Sequence, residues 1–84
     1  MIEKKYKISF QEGLHARPAK MLVRIAKEAQ SKIHISNRHG KSDAKSMLGI
    51  ISLQAAFGTE VTVTIDGADE AAVEKRLEEF FSVE

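Results

Sequence analysis

Residues 13–29 read Gly-Leu-His-Ala-Arg-Pro-Ala-Lys-Met-Leu-Val-Arg-Ile-Ala-Lys-Glu-Ala, and the rest of the chain is best read outward from them. Ala19, Leu22, Val23, Ala26 and Ala29 recur at the spacing of one helix face, which predicts a helix from about Ala16 to Ala29. Pro18 has no N–H and is tolerated only in a first turn. The helix therefore begins within a residue or two of Ala16, and His15 stands at its open end.

On the N-terminal side the period changes to two. Ile2, Tyr6, Ile8 and Phe10 alternate with Glu3, Lys5, Lys7 and Ser9, as in a strand buried on one face; Lys4 breaks the pattern and Gly13 ends it. Downstream, Ile33 and Ile35 flank His34 in a short strand, and Asn37-Arg38-His39-Gly40 turns into a second, polar one. Residues 46–53 are densely apolar but short, which fits two turns of helix capped by Ser46. Gly58 opens a loop before Glu60–Asp66, where Val61, Val63 and Ile65 alternate with Thr62 and Thr64. Gly67 makes a turn, and Asp69-Glu70 start a last helix whose buried face is Val73, Leu77, Phe80 and Phe81. The order β-α-β-β-α-β-α predicts an α+β domain, a two-layer open-faced sandwich. Its four-stranded antiparallel sheet carries three helices on one face, and residues 1–84 form a single domain.

Composition narrows the function. A chain of 84 residues and 9.3 kDa is too short for a second core, which would need roughly 50 residues of its own. With 43% hydrophobic and 30% charged residues and a mean hydropathy of −0.24, it reads as soluble and globular. No apolar run approaches the roughly 20 residues of a membrane span, so no membrane insertion is expected. Residues 1–5 lack a signal-peptide core, which points to the cytoplasm. The absence of cysteine excludes disulfides, thiolate metal sites and a thiol nucleophile. His34 and His39 read as surface residues with only Asp43 nearby, so neither a metal nor another cofactor is expected. The net charge of +1 conceals an asymmetry. Residues 1–45 hold eleven Lys/Arg and four Asp/Glu, a net +7, whereas residues 46–84 hold two and eight, a net −6. Such a chain steers toward acidic partners without the overall positive charge of a general nucleic-acid binder.

The chemistry gathers at His15. A helix start offers unpaired N–H groups and roughly half a positive charge, an anion site by construction. A ring nitrogen of a neutral imidazole at that place is a nucleophile. An anion carried on the nitrogen would meet the N–H groups of Ala16 and Arg17 and the Arg17 guanidinium, so the segment reads as a covalent phosphate acceptor.

Gly13-Leu14-His15-Ala16-Arg17-Pro18-Ala19 resembles the active-site signature of the HPr family, the histidine-containing phosphocarriers of the bacterial sugar phosphotransferase system. Ala44-Lys45-Ser46-Met47-Leu48-Gly49-Ile50 resembles that family's second signature, its regulatory serine segment, and the likeness runs from about residue 2 to 81. The resemblance implies that His15 takes a phosphoryl group on Nδ1 from phosphorylated enzyme I, assisted by Arg17. It then passes the group to IIA domains of sugar permeases, without independent turnover of a small molecule. It further implies that Ser46 is phosphorylated by an HPr kinase/phosphorylase. Met47, Leu48 and Ile51 would meet partners, a catabolite-control transcriptional regulator among them, and the carrier would be a monomer. Along the first helix, Arg17, Lys20, Arg24 and Lys27 recur as a cationic stripe suited to an acidic docking surface. Lys20, Gln54 and the run Ala55-Ala56-Phe57 depart from the family's usual residues, Gln54 standing where glycine is common.

Two other readings differ in class. A regulatory module of the same fold, in carbon or nitrogen signalling, would use Ser46 without carrying sugar-directed phosphate; paralogues of that kind can lack the histidine. An α+β RNA-binding domain would need aromatics on the open sheet face, but Tyr6 and Phe10 share the core parity of Ile8. A hydrolase or kinase would need a second acid/base group beside His15 or a glycine-rich phosphate loop, and the sequence has neither.

Overall fold

Alternation along the fourth strand sets the sheet. In the computed structural model, which describes residues 1–82, the elements follow in the expected order. They are β1 (Ile2–Lys7), α1 (Ala16–Glu28), β2 (Lys32–Asn37), β3 (Gly40–Asp43), α2 (Met47–Ser52), β4 (Glu60–Asp66) and α3 (Glu70–Phe81). The strands lie in the order β1-β4-β2-β3, every neighbouring pair antiparallel. β4 is thus central, with Val61 opposite Tyr6, Val63 opposite Ile35, and Ile65 opposite Ile33. Val61, Val63, Ile65, Ile33 and Ile35 are buried, while Thr62, Thr64, His34 and Ser36 between them are partly exposed on the other face. One apolar face is what a sheet covered on one side requires.

The helices supply that cover. α1 buries Ala19, Leu22, Ile25 and Ala26; α3 buries Val73, Leu77, Phe80 and Phe81; α2 buries Ile50. The apolar stripe of α1 is rotated slightly from the expected one. Ile25 is buried, while Val23 and Ala29 sit at the margin, partly exposed.

β1 is shorter than its alternation. Ile8 and Phe10 keep the core parity, but the ladder ends at Lys7 opposite Glu60, the first residue of β4. Beyond it the partner is a turn: the Ile8 N–H donates to the Thr59 carbonyl at 2.8 Å, and the Gly58 N–H donates to the Ile8 carbonyl at 2.8 Å. Phe10 packs instead on Phe80 and Phe81, with ring centroids 5.1 and 6.4 Å away. Lys4, which breaks the apolar pattern, reaches Glu74 and Glu78 of α3 at 3.5 and 3.4 Å, so an ion pair replaces a core contact at the sheet edge.

Candidate functional site

The site is built on an anchor next to it. Leu14 is fully buried and donates its N–H to the Ala55 carbonyl at 2.8 Å. Gly13 precedes it with φ +81, and a Cβ there would lie 2.7 Å from the same carbonyl oxygen, so glycine alone lets the two loops approach so closely. With Leu14 pinned, His15 becomes the N-cap of α1 in extended conformation, φ −128 and ψ 170, and its carbonyl accepts the Ala19 N–H at 3.4 Å. The imidazole makes no capping bond and remains partly exposed, outside the core.

Next to His15 in the chain stands a set of unengaged donors. The N–H groups of Ala16 and Arg17 make no hydrogen bond among the described residues, and Pro18 has none to offer. Arg17 is exposed and forms no ion pair among the described residues, and the first turn of α1 carries no acid. Ala16 enters the helix with φ +45, in the left-handed region, which costs an alanine about 1–2 kcal/mol. Ala16, Arg17 and Pro18 face Ser9, Phe10, Gln11 and Glu12 across an open cleft of about 830 Å³, and His15 stands outside this lining. Two backbone donors and a guanidinium thus follow His15 directly in the chain at an open helix start, where an anion is favoured.

The other candidate residues fall on the adjoining surface. Lys20, Arg24 and Lys27 continue from Arg17 along the exposed side of α1, none of them in an ion pair among the described residues. Met21, half exposed within that stripe, was not singled out by the sequence; its place off the Ala19–Leu22–Ala26 face was the available signal. α2 packs against α1 and continues the surface. Ser46 is its N-cap, accepting the Gly49 N–H at 3.0 Å. Leu48 is 81% exposed, flanked by the partly buried Met47 and Ile51. A Cβ on Gly49 would collide with the Ser42 hydroxyl, so glycine allows α2 to lie against β3. His15 and Arg17 thus stand at the start of α1, the cationic stripe runs along its exposed side, and α2, which carries Leu48, packs against it. His34, on the open face of the sheet, and His39, in the β2–β3 turn, take no part. Among the described residues no cluster of His, Cys, Asp and Glu could hold a metal ion, and no helix is long and apolar enough to cross a membrane.

Comparison with known proteins places this arrangement. A family model described as "PTS HPr component phosphorylation site" matches residues 2–82. The phosphocarrier protein HPr of Treponema pallidum (strain Nichols) is 32% identical over 81 residues, 96% of this chain and 92% of that protein. The HPr-like protein Crh of Bacillus subtilis (strain 168) is 35% identical over 77 residues, 92% of this chain and 91% of that protein. The crystal structure of HPr from Bacillus anthracis str. Ames superposes with a TM-score of 0.90 at 31% identity, covering 96% of each chain. With the fold, the element order and nearly the whole length in common, the chain belongs to the HPr family of phosphotransferase-system phosphocarriers.

Proposed function

We propose that this chain relays a phosphoryl group on His15, from phosphoenolpyruvate-charged enzyme I to IIA components of sugar permeases, in the cytoplasm and as a monomer. The observation that carries this reading is the uncapped imidazole of His15 beside the unbonded N–H groups of Ala16 and Arg17. The Nδ1 lone pair of His15 attacks phosphorus in line, and the carrying group of enzyme I leaves with the electron pair of its own bond to phosphorus. One bond to phosphorus forms as another breaks, and the His15 ring keeps the proton on its other nitrogen. Arg17 and the two N–H groups stabilise charge on the phosphoryl oxygens through the transition state. The same groups meet the phosphoryl on arrival and at departure, so the step runs in either direction.

Arg17, Lys20, Arg24 and Lys27 form the rim that draws acidic partners, and Met47, Leu48 and Ile51 form its apolar centre. Ser46 serves as a regulatory phosphorylation site for an HPr kinase/phosphorylase, a state also read by a catabolite-control transcriptional regulator. The alternative reading, a regulatory module that does not carry sugar-directed phosphate, draws on the likeness to Crh. His15 at an open helix start favours the relay. Incubation with enzyme I and phosphoenolpyruvate separates the two: acid-labile phosphate on His15, lost in a folded His15→Ala variant, is the expected result. An unlabelled wild-type chain in the presence of active enzyme I would overturn the relay.

A further inference from the structure

On the side of the sheet away from β4, β1 has no neighbouring strand among the described residues. Backbone groups alternate along a strand, and Ile8 directs both its N–H and its carbonyl toward the 58–59 turn, on the β4 side. The N–H and carbonyl groups of Lys5 and Lys7 therefore point to the open side. An open groove of about 530 Å³ runs along that edge, lined by residues 5–9, Phe57, Glu78, Phe81 and Ser82. Phe81 stacks on Tyr6 with ring centroids 4.6 Å apart, which gives the groove an aromatic floor. Phe57, 60% exposed, closes one end. Lys5 and Lys7 are exposed, and neither makes an ion pair among the described residues, whereas Glu78 is already engaged by Lys4 at 3.4 Å. Among the described residues the groove thus combines an unpaired strand edge, an apolar floor and positive charge without an ion-pair partner.

Charge selects the occupant. A second copy of β1, paired antiparallel through the open-side groups of Lys5 and Lys7, would set Lys5 of one copy opposite Lys5 or Lys7 of the other. Like charges facing across strands are destabilising, and lysines on an edge oppose self-pairing. We propose that the edge of β1 is a docking site for an extended acidic peptide segment of a partner protein, which adds to the sheet as a fifth strand. Carboxylates at alternate positions meet Lys5 and Lys7 on the open face. The apolar residues between and beside them pack over Tyr6, Ile8, Phe81 and Phe57. Lys5, Tyr6, Lys7, Phe57 and Phe81 do not line the cleft at Ala16–Pro18, and the use of the groove does not depend on phosphoryl relay.

The test uses the intact chain and the synthetic peptide acetyl-Thr-Phe-Glu-Val-Glu-Phe-Thr-amide, whose symmetric pattern suits either strand direction. Saturable amide shifts are expected over residues 3–9, 57 and 81, with hydrogen exchange at the Lys5 and Lys7 amides slowed about tenfold at saturation. A peptide with lysine in place of glutamate should bind about tenfold more weakly or worse, a loss of about 1.4 kcal/mol or more. Phe57→Ser, a surface change, should weaken binding about fivefold, and Lys5→Glu/Lys7→Glu should abolish it. The proposal is overturned if the Lys5 and Lys7 amides gain no protection or if the shifts map to α1. It is equally overturned if the same shifts appear on concentrating the chain alone, which would make the occupant a second copy.

Discussion

Gln54 and Ala16 hold φ of +50 and +45, a region that costs an L-residue about 1–2 kcal/mol. At Gln54 the side chain is exposed and makes no hydrogen bond among the described residues. Glycine removes the strain and gives back about 0.5–1 kcal/mol in unfolded-chain entropy, so Gln54→Gly should stabilise the fold by about 0.5–1 kcal/mol in urea denaturation. An unchanged midpoint would mean that the α2 exit relaxes around Gln54. The sequence disclosed this position because glycine is common there in the family. It was silent about Ala16, since strain at a non-glycine residue leaves no mark on residue type. Tyr6 carries a different local cost. Its ring stacks on Phe81, but its hydroxyl is buried without a hydrogen-bond partner among the described residues, and burial first, then the nearby Glu78, pushes its pKa up. Tyr6→Phe keeps the stack and removes the orphaned group, so it should leave stability unchanged or raise it by about 1 kcal/mol. A clear loss of stability would show that the hydroxyl is bonded in solution.

Between elements, one carboxylate joins the end of α1 to the start of α3. Asp69, the N-cap of α3, makes no capping bond of its own; its side chain accepts the Gln30 N–H and the Ser31 N–H at 2.9 Å each, and also the Ser31 hydroxyl. Ser31 is fully buried, so Ser31→Ala, which removes a bond to a charged acceptor, should cost about 2 kcal/mol in denaturant titration. The hydroxyl of Ser31, followed by the Gln30 N–H, holds the Asp69 carboxyl below its ordinary pKa. The unfolded chain then binds the proton more readily than the folded one, so this stabilisation is present above about pH 4 and is lost as the pH falls through the folded value. Asp69→Asn should flatten the acid limb of the stability profile, and a variant with the wild-type slope between about pH 2 and 5 would rule the clamp out. Nothing in the sequence signals this clamp, because residues 38 and 39 positions apart have no shared periodicity. Elements were legible where one face is buried: Glu60–Asp66 and the capped α2 stand as read. The end of β1 was not, because Ile8 and Phe10 keep core parity after the partner strand has stopped.

Over the whole molecule, the opposed charges of the two chain halves are used differently. Glu70 of α3 pairs with the N-terminal amine at 3.1 Å, Glu74 and Glu78 pair with Lys4, and Arg76 reaches Glu28 at 3.0 Å. The acids of the last helix are thus partly neutralised within the fold, whereas Arg17, Lys20, Arg24 and Lys27 stay unpaired among the described residues. The excess of +7 in residues 1–45 was legible from the sequence; which cations remain available to a partner required the packing of α3 on β1. This field gives Ser46 its leverage. A negative group there lies at the N-terminus of α2, where the unpaired N–H groups favour it, so Ser46→Asp should unfold at the wild-type temperature within a degree or two. In the proposed relay, the same charge opposes the attraction of the cationic stripe for an acidic enzyme I. Phosphorylation of His15 should therefore slow severalfold in this variant, mainly through the association rate. Salt separates this from a local distortion of the site. At about 0.5 M salt the screening length falls to roughly 4 Å, and the variant and wild-type rates should converge. A deficit that persists at high salt would place the effect of Ser46 in direct contact with the partner, and equal rates at low salt would remove the electrostatic account altogether.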